Sequence, residues 1–400
     1  MAAPPASKLP PRRIVELEIV ALAPQGRGIA RVDALDVRVP FTLPGARVRA
    51  TLWRPHPAPG DADLLELLVA APERIAPRCP LYGLCGGCQL QHLPYEHQLA
   101  WKTSLVRDLV AAHALPIDVS PTIGSPRAFG YRSKITPHHD HPRPDRPLTI
   151  GFLKVNRRHD VVDVEACPLA TDGINARLPS FRAEIAAAAA RRKKGSTFLV
   201  REATSGVTTD PDARVTETVG NLSLEFFARE FFQNNPFLLP RLVDFVIDAA
   251  AATGARTLID TYSGSGLFAL AGAARFADVI GVEVSAGAIV AARANATRNH
   301  LTNVRFVAAD SARIFAELTV SGADAAVIVD PPRKGCDDAF LNQLCTFAPR
   351  AIVYVSCNPE TQARDLARLL HAGYRARVLQ PFDMFPQTRH VESVAVLERG

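Results

Sequence analysis

From residue 236 onward the chain alternates between two periods. Strand-like runs TLID (257–260), VIGVE (279–283), VRFVAAD (304–310), AAVIVD (325–330) and AIVYVS (351–356) are apolar and rich in β-branched residues. Helical stretches lie between them: 236–252, a segment after the Gly-rich turn at 264–266, SAGAIVAARANATRN, and PETQARDLARLLHAG. Strands that are apolar along their whole length are covered on both faces, and strand–helix alternation lays such strands side by side and parallel. Residues 231–400 are therefore expected to form a doubly wound, Rossmann-like α/β domain. Two further strands, YRARVLQPF and ESVAVLER, complete it.

In such sheets a ligand binds at the carboxyl ends of the strands. Those ends read Asp260-Thr-Tyr262-Ser-Gly264-Ser-Gly266, Glu283, Asp310, Asp330-Pro-Pro, and Ser356-Cys357-Asn358-Pro. Gly264 and Gly266 let backbone approach a ligand closely. Glu283 is placed to accept bonds from two ribose hydroxyls, Tyr262 to pack on an adenine, and Asp310 to accept from the base's amino group. GSGLFA also satisfies the G-x-G-x-x-A form of a dinucleotide fingerprint, but hydride transfer has no need for Asp-Pro-Pro or a thiol on this rim. A cationic sulfonium cofactor without a pyrophosphate, S-adenosylmethionine, suits the acids better. Each acid could instead cap the helix that follows it.

The first half is organised differently. Residues 1–12 read as a flexible tail, and 13–72 as a small OB-like β-barrel of the kind that binds nucleic acid. A central α+β domain occupies 73–230, with a helix at about 95–115 that packs on the catalytic domain. Between Arg127 and Arg158 eight Lys or Arg face only Asp140 and Asp145, a local charge of +6 in a chain whose total is +6. Such a cluster suits phosphates, and RRKK at 191–194 adds to it only as the end of a helix. No apolar run reaches the ~18 residues of a membrane span and no secretory signal opens the chain, so a cytoplasmic protein is expected.

Seven cysteines without an export signal argue against a disulfide framework. CPLYGLCGGC spaces Cys79, Cys85 and Cys88 as Cys-x5-Cys-x2-Cys, and Cys167 stands alone in EACPLA. Four thiolates suit zinc or a [4Fe–4S] cluster equally on this ground alone.

VDPPRKG (329–335), VSCNPET (355–361), FFQNNP (231–236), DMFPQTRHVESV (383–394) and the cysteine spacing together resemble the RNA uridine-C5 methyltransferases, which make 5-methyluridine in tRNA or ribosomal RNA. The resemblance covers nearly the whole chain and is closest to the iron–sulfur branch that acts on large-subunit ribosomal RNA. It implies a class I methyltransferase domain over 231–400, a TRAM-like barrel over 13–72 and a cysteine-bearing middle domain. Cys357 matches the family's nucleophile and Glu392 its general base. Gln233, Tyr262, Gly264, Glu283, Asp310 and Asp330 match cofactor or uracil contacts. His390 is a second candidate proton carrier. Cys79, Cys85, Cys88 and Cys167 match the ligands of a [4Fe–4S] cluster, with zinc the lesser alternative. The family's turn often reads YCGxG where this chain has Tyr262-Ser263-Gly264-Ser265-Gly266, a change at a position that supplies backbone.

The chemistry explains the residues. C5 of uracil is a poor nucleophile, and a thiolate adding to C6 makes it an enolate carbon able to attack a methyl group. The helix after Pro359 is expected to favour that thiolate. Other readings stand beside this one: methylation of cytosine C5 or of an exocyclic amine, the latter needing no thiol, or a noncatalytic RNA-binding iron–sulfur protein. RNA is the expected partner, ribosomal favoured over transfer RNA, and a monomer with no obligate protein partner is the default.

Overall fold

The computed structural model describes residues 13–32, 35–52, 60–141, 148–189, 195–309, 314–315 and 318–400. The expected tail at 1–12, the RRKK run and Asp310 lie outside them. The chain divides into two units, one comprising 1–98, 153–160 and 387–389, the other the remainder.

In the first unit six strands form one sheet in the order Arg13–Glu18, Arg47–Leu52, Gly60–Val69, Leu35–Pro40, Arg27–Val32, Ala21–Leu22. Neighbours are antiparallel apart from the pairing of Leu35–Pro40 with Gly60–Val69. The alternation seen in the sequence is the alternation of burial: Leu17, Val37, Val39, Val48, Ala50 and Ala62 point into one core. Residues 79–93 then run as turns, where Tyr82 sets its ring edge on Phe41 at 4.9 Å. Its hydroxyl donates to the Gln89 carbonyl at 2.6 Å.

The second unit holds a seven-stranded sheet in the order Val304–Ala308, Asp278–Glu283, Thr257–Thr261, Ala325–Val329, Ala351–Ser356, Glu392–Arg399, Tyr374–Phe382. Glu392–Arg399 is antiparallel to both its neighbours, while the other adjacent pairs are parallel. Successive residues of each central strand enter different cores. Leu258, Ile328 and Val353 pack on one face with the helix Leu239–Ala251. Ile259, Val327, Ile352 and Tyr354 pack on the other, joined by Val106 and Val110 of the helix Tyr95–Ala112. Both faces are thus covered, which is why these strands read as unbroken apolar runs. A smaller layer in the same unit packs Ile174, Leu178, Phe181 and Ile185 of the helix Asp172–Ala189 against Ile135 and Val200. Among the described residues no helix is long and apolar enough to cross a membrane.

Candidate active site

The sheet's strand order reverses between Thr257–Thr261 and Ala325–Val329, which opens a crevice at their carboxyl ends. The first of these strands ends in a tight turn with Tyr262, Gly264 and Gly266 all at positive φ (62°, 53° and 96°). A Cβ on Gly264 would meet nothing within 4 Å, whereas one on Gly266 would press on Phe306 at 3.0 Å. Gly266 is therefore needed for packing and Gly264 for its backbone. Glu283 braces the turn: its Oε2 accepts from the Gly264 N–H at 3.1 Å and its Oε1 from Ser285 at 3.0 Å. Asp260 has the role of a helix cap, accepting from the Ala269 N–H at 2.8 Å, and burial pushes its carboxyl well up. Tyr262 is half-buried with its ring 5.3 Å from Phe340 and its hydroxyl bonded to Cys336. An open, glycine-backed turn edged by a braced carboxylate fits the ribose and amino-acid ends of S-adenosylmethionine.

The second half of the site follows from strand register. Ser356 pairs with Ser393 across the antiparallel ladder, so one step further brings Glu392 opposite Cys357. Gln362, on the helix Pro359–His371, locks this junction by donating to Tyr354 O (2.9 Å) and Ser393 O (3.2 Å) while its Oε1 accepts from the Ser393 hydroxyl (2.6 Å). Pro359 occupies the first turn of that helix, where a missing N–H costs nothing. Asp330, ending the neighbouring strand, completes a cluster of one thiol and two carboxyls with Arg333.

Electrostatics in this cluster correct one expectation. The Cys357 thiol is pushed up to about 11, first by burial and then by Glu392 and Asp330, with the charge and hydrogen bond of Arg333 opposing. Burial and the two acids thus favour the thiol over the thiolate in the free protein. Burial also raises Asp330, to about 7. Glu392 lies well above its usual range, through burial and the nearby Asp330. A carboxyl raised on folding binds more protons in the folded state, so stability contributed by these two is lost as pH climbs past the ordinary carboxylate range. The site is built at the expense of the fold.

Gln233 is buried in the 231–236 segment, which is fixed by Asn235 donating to Ser125 Oγ (3.1 Å) and to Met384 O (3.2 Å). It thus shares an anchor with the segment leading to Glu392. His390 is half-buried, its ring 6.0 Å from Phe385. In the basic segment, Lys134 turns its ammonium onto the carbonyls of Arg229 and Glu230 at 3.3 and 3.4 Å, and burial with Arg201 lowers it to about 8. Its charge is therefore partly committed to the backbone. Arg143 and Arg146 lie outside the described residues.

The cysteines are half-buried, Cys79, Cys85 and Cys88 in the first unit and Cys167 in the second. The Gly87 N–H donates to Cys85 Sγ at 3.4 Å and the Cys79 N–H to Gln91 Oε1 at 3.0 Å. Among the described residues, however, no three His, Cys, Asp or Glu side chains form a set that could hold a metal ion. The four-thiolate arrangement is not displayed, and no step is routed through it.

Two residues outside the sequence-derived set belong to this site. Arg333 is a partner of the thiol; its place three residues after Asp330, in the Asp-Pro-Pro turn, was the available signal. Asp365 ties the turn to the helix, and nothing in its local sequence marks it.

Comparison with known proteins gives a concordant result. The family model for tRNA (uracil-5-)-methyltransferase matches residues 214–400. The chain is 38% identical to the tRNA (uracil(54)-C(5))-methyltransferase of Schizosaccharomyces pombe, over 96% of this chain and 78% of that one. It is 33% identical to the 23S rRNA (uracil(1939)-C(5))-methyltransferase RlmD of Alkalilimnicola ehrlichii, over 97% of each. The crystal structure of Pyrococcus abyssi tRNA (uracil-54, C5)-methyltransferase with S-adenosyl-L-homocysteine superposes with a TM-score of 0.77 at 26% identity, covering 96% of this chain and 99% of that one.

Proposed function

We propose, from the premise that this chain belongs to the RNA uracil-C5 methyltransferase family and is an S-adenosylmethionine-dependent enzyme of that kind, that it methylates uridine C5 through a covalent bond between Cys357 and C6. The observation that carries this reading is the register that sets Glu392 opposite Cys357, beside Asp330. S-adenosylmethionine, when bound, supplies an electrophilic methyl group. The rest is done by the chain's own residues. Asp330, raised into the neutral range, takes the thiol proton as sulfur bonds to C6 and the C5–C6 double bond opens to an enolate. Arg333 steadies the developing thiolate. After C5 has gained its methyl group, Glu392 removes the remaining C5 proton. The C5–C6 double bond re-forms as sulfur leaves, and Asp330 returns its proton to the thiolate. One proton, from C5, passes from Glu392 to solvent in each turnover. A carboxylate of raised pKa is the stronger base for that step. Gln233 and Tyr262 are read as contacts of the uracil and cofactor ends.

For the RNA, the named relatives include both kinds of enzyme, two of those above acting on tRNA uracil-54 and one on 23S rRNA. The similarity to the tRNA enzymes supports tRNA at least as strongly as the cysteine spacing supports ribosomal RNA. The N-terminal sheet over 13–72 is read as the RNA-gripping, TRAM-like module, the remainder to 230 as the central domain. The deciding experiment is nucleoside analysis of separated tRNA and rRNA from cells with and without the gene. Loss of 5-methyluridine from one fraction is expected; unchanged 5-methyluridine in both, or loss of 5-methylcytidine instead, overturns the reading.

Cys79, Cys85, Cys88 and Cys167 are read as ligands of a [4Fe–4S] cluster, with zinc as the alternative occupant. What supports this is the Cys-x5-Cys-x2-Cys spacing with its remote fourth thiol and the half-burial of all four. Anaerobically purified protein is expected to carry about four iron and four sulfide per chain and to lose both in Cys85→Ser. Stoichiometric zinc without iron, or neither metal, removes the cluster.

A further inference from the structure

The turn that carries Asp330 and Arg333 and the helix that follows Cys357 are separate segments, and the mechanism requires them to stay in fixed relation. Several bonds join them, and one buried side chain stands among their partners. Asp365, on the helix Pro359–His371, is 1% exposed. Its Oδ2 accepts from the Cys336 N–H at 2.8 Å and from the Tyr354 hydroxyl at 2.7 Å. Its Oδ1 accepts from Arg364 Nε at 2.8 Å. Arg364 in turn donates to the carbonyls of Lys334 (3.2 Å) and Cys336 (3.1 Å). Asn358 and Thr361 both donate to the Arg333 carbonyl, at 3.0 and 3.3 Å. Gly335, at φ 76°, permits this approach: a Cβ there would lie 2.8 Å from Asp365 Oδ2. The network continues toward the cofactor turn. Cys336 Sγ donates to the Tyr354 hydroxyl at 3.5 Å and is bonded to Tyr262.

We propose that Asp365 is a positioning residue for methyl transfer. Its carboxylate clamps the 331–336 turn onto the helix after Cys357, holding Arg333 at the thiol, and through Tyr354 and Cys336 it ties the same turn to Tyr262. Three strand ends, those carrying Tyr262, Asp330 and Cys357, are thereby fixed to one buried anion. A buried carboxylate with three hydrogen bonds to it is rigid, and loss of one partner leaves the others unsatisfied in a dry interior. The inference rests on the reading of Cys357 as nucleophile, yet its test does not require turnover.

The test is the rate at which iodoacetamide alkylates Cys357 at pH 9, read on the Cys357 peptide by mass spectrometry in the intact protein. Asp365→Asn lets Arg333 drift from the thiol. The thiol's pKa then rises by about one unit and the rate falls about tenfold. Mere loosening would expose the sulfur and speed alkylation, the opposite sign. Arg333→Ala should give the same fall, and the double variant no more than either alone. For methyl transfer, kcat is expected to drop by about 10²-fold with KM for RNA little changed. Tyr354→Phe, which removes one bond and keeps the ring, should move the alkylation rate in the same direction by less, and it decides the matter if Asp365→Asn does not fold. Unchanged or faster alkylation, or additive effects of Asp365→Asn and Arg333→Ala, overturns the assignment. If instead Cys357→Ala retains turnover, the nucleophile reading fails while the alkylation result still judges the clamp.

Discussion

Cys357→Ala will abolish methyl transfer and leave cofactor binding intact. The thiol lies at the end of the Ala351–Ser356 strand, whereas the cofactor turn is built from Tyr262, Gly264 and Glu283 on the other side of Asp330's strand. Removing one half-buried sulfur costs roughly 1 kcal/mol of stability, so the fold should survive. Without a nucleophile at C6 there is no enolate, and the loss should reach about four orders of magnitude or more, the scale set by deleting a covalent catalyst. Radiolabel transfer to RNA measures the first quantity and isothermal titration with S-adenosylmethionine the second. Turnover within tenfold of the parent would sink the covalent route. It would also revive amino-group methylation, which uses an Asp-Pro-Pro turn without a thiol.

Glu392→Gln should do something different: trap the enzyme on its RNA. The side chain is 2% exposed, and burial, then Asp330, push its carboxyl well above the usual range. Glutamine keeps the size and shape of the side chain without a charge to bury, so folding should be nearly unaffected. Two consequences favour a trapped adduct. The acceptor for the C5 proton is gone, so the methylated intermediate cannot eliminate sulfur. Glu392 also raises the Cys357 thiol; removing it lowers that pKa and eases the first addition. A band that survives denaturing electrophoresis, disappears with nuclease and needs S-adenosylmethionine is the expected signature. Should no such band form while turnover falls, the proton acceptor lies elsewhere, with half-buried His390 the next to replace.

The sheet was legible because its residues obey one requirement at a time. Strands covered on both faces must be apolar throughout, and AIVYVS, predicted for 351–356, is the strand found there. Its carboxyl end told where Cys357 would stand. What a one-dimensional reading could not supply was the pairing of distant segments. Glu392 gains its meaning from an antiparallel register with residues some forty positions earlier, and only resemblance singled it out. The thiolate expectation failed for the same reason: a helix end is visible in sequence, but two carboxyls folded against the sulfur are not. Asp260 looked like a rim acid and proves to be a helix cap, since a strand-end carboxylate is equally near the crevice and the next helix. Asp365 was invisible because a helix sequence does not show which distant groups it meets, and two of its partners, Cys336 and Tyr354, come from other segments.

The seating of Glu392 at the very start of its strand, Glu392–Arg399, has a consequence for how such enzymes can diverge. Side chains along a strand face alternate sides, so a residue gained or lost within 393–397 would swing this carboxyl to the far surface of the sheet. A length change in the stretch just upstream leaves the ladder's own alignment untouched. Relatives of this protein should thus show gaps before the glutamate and none in the five residues after it.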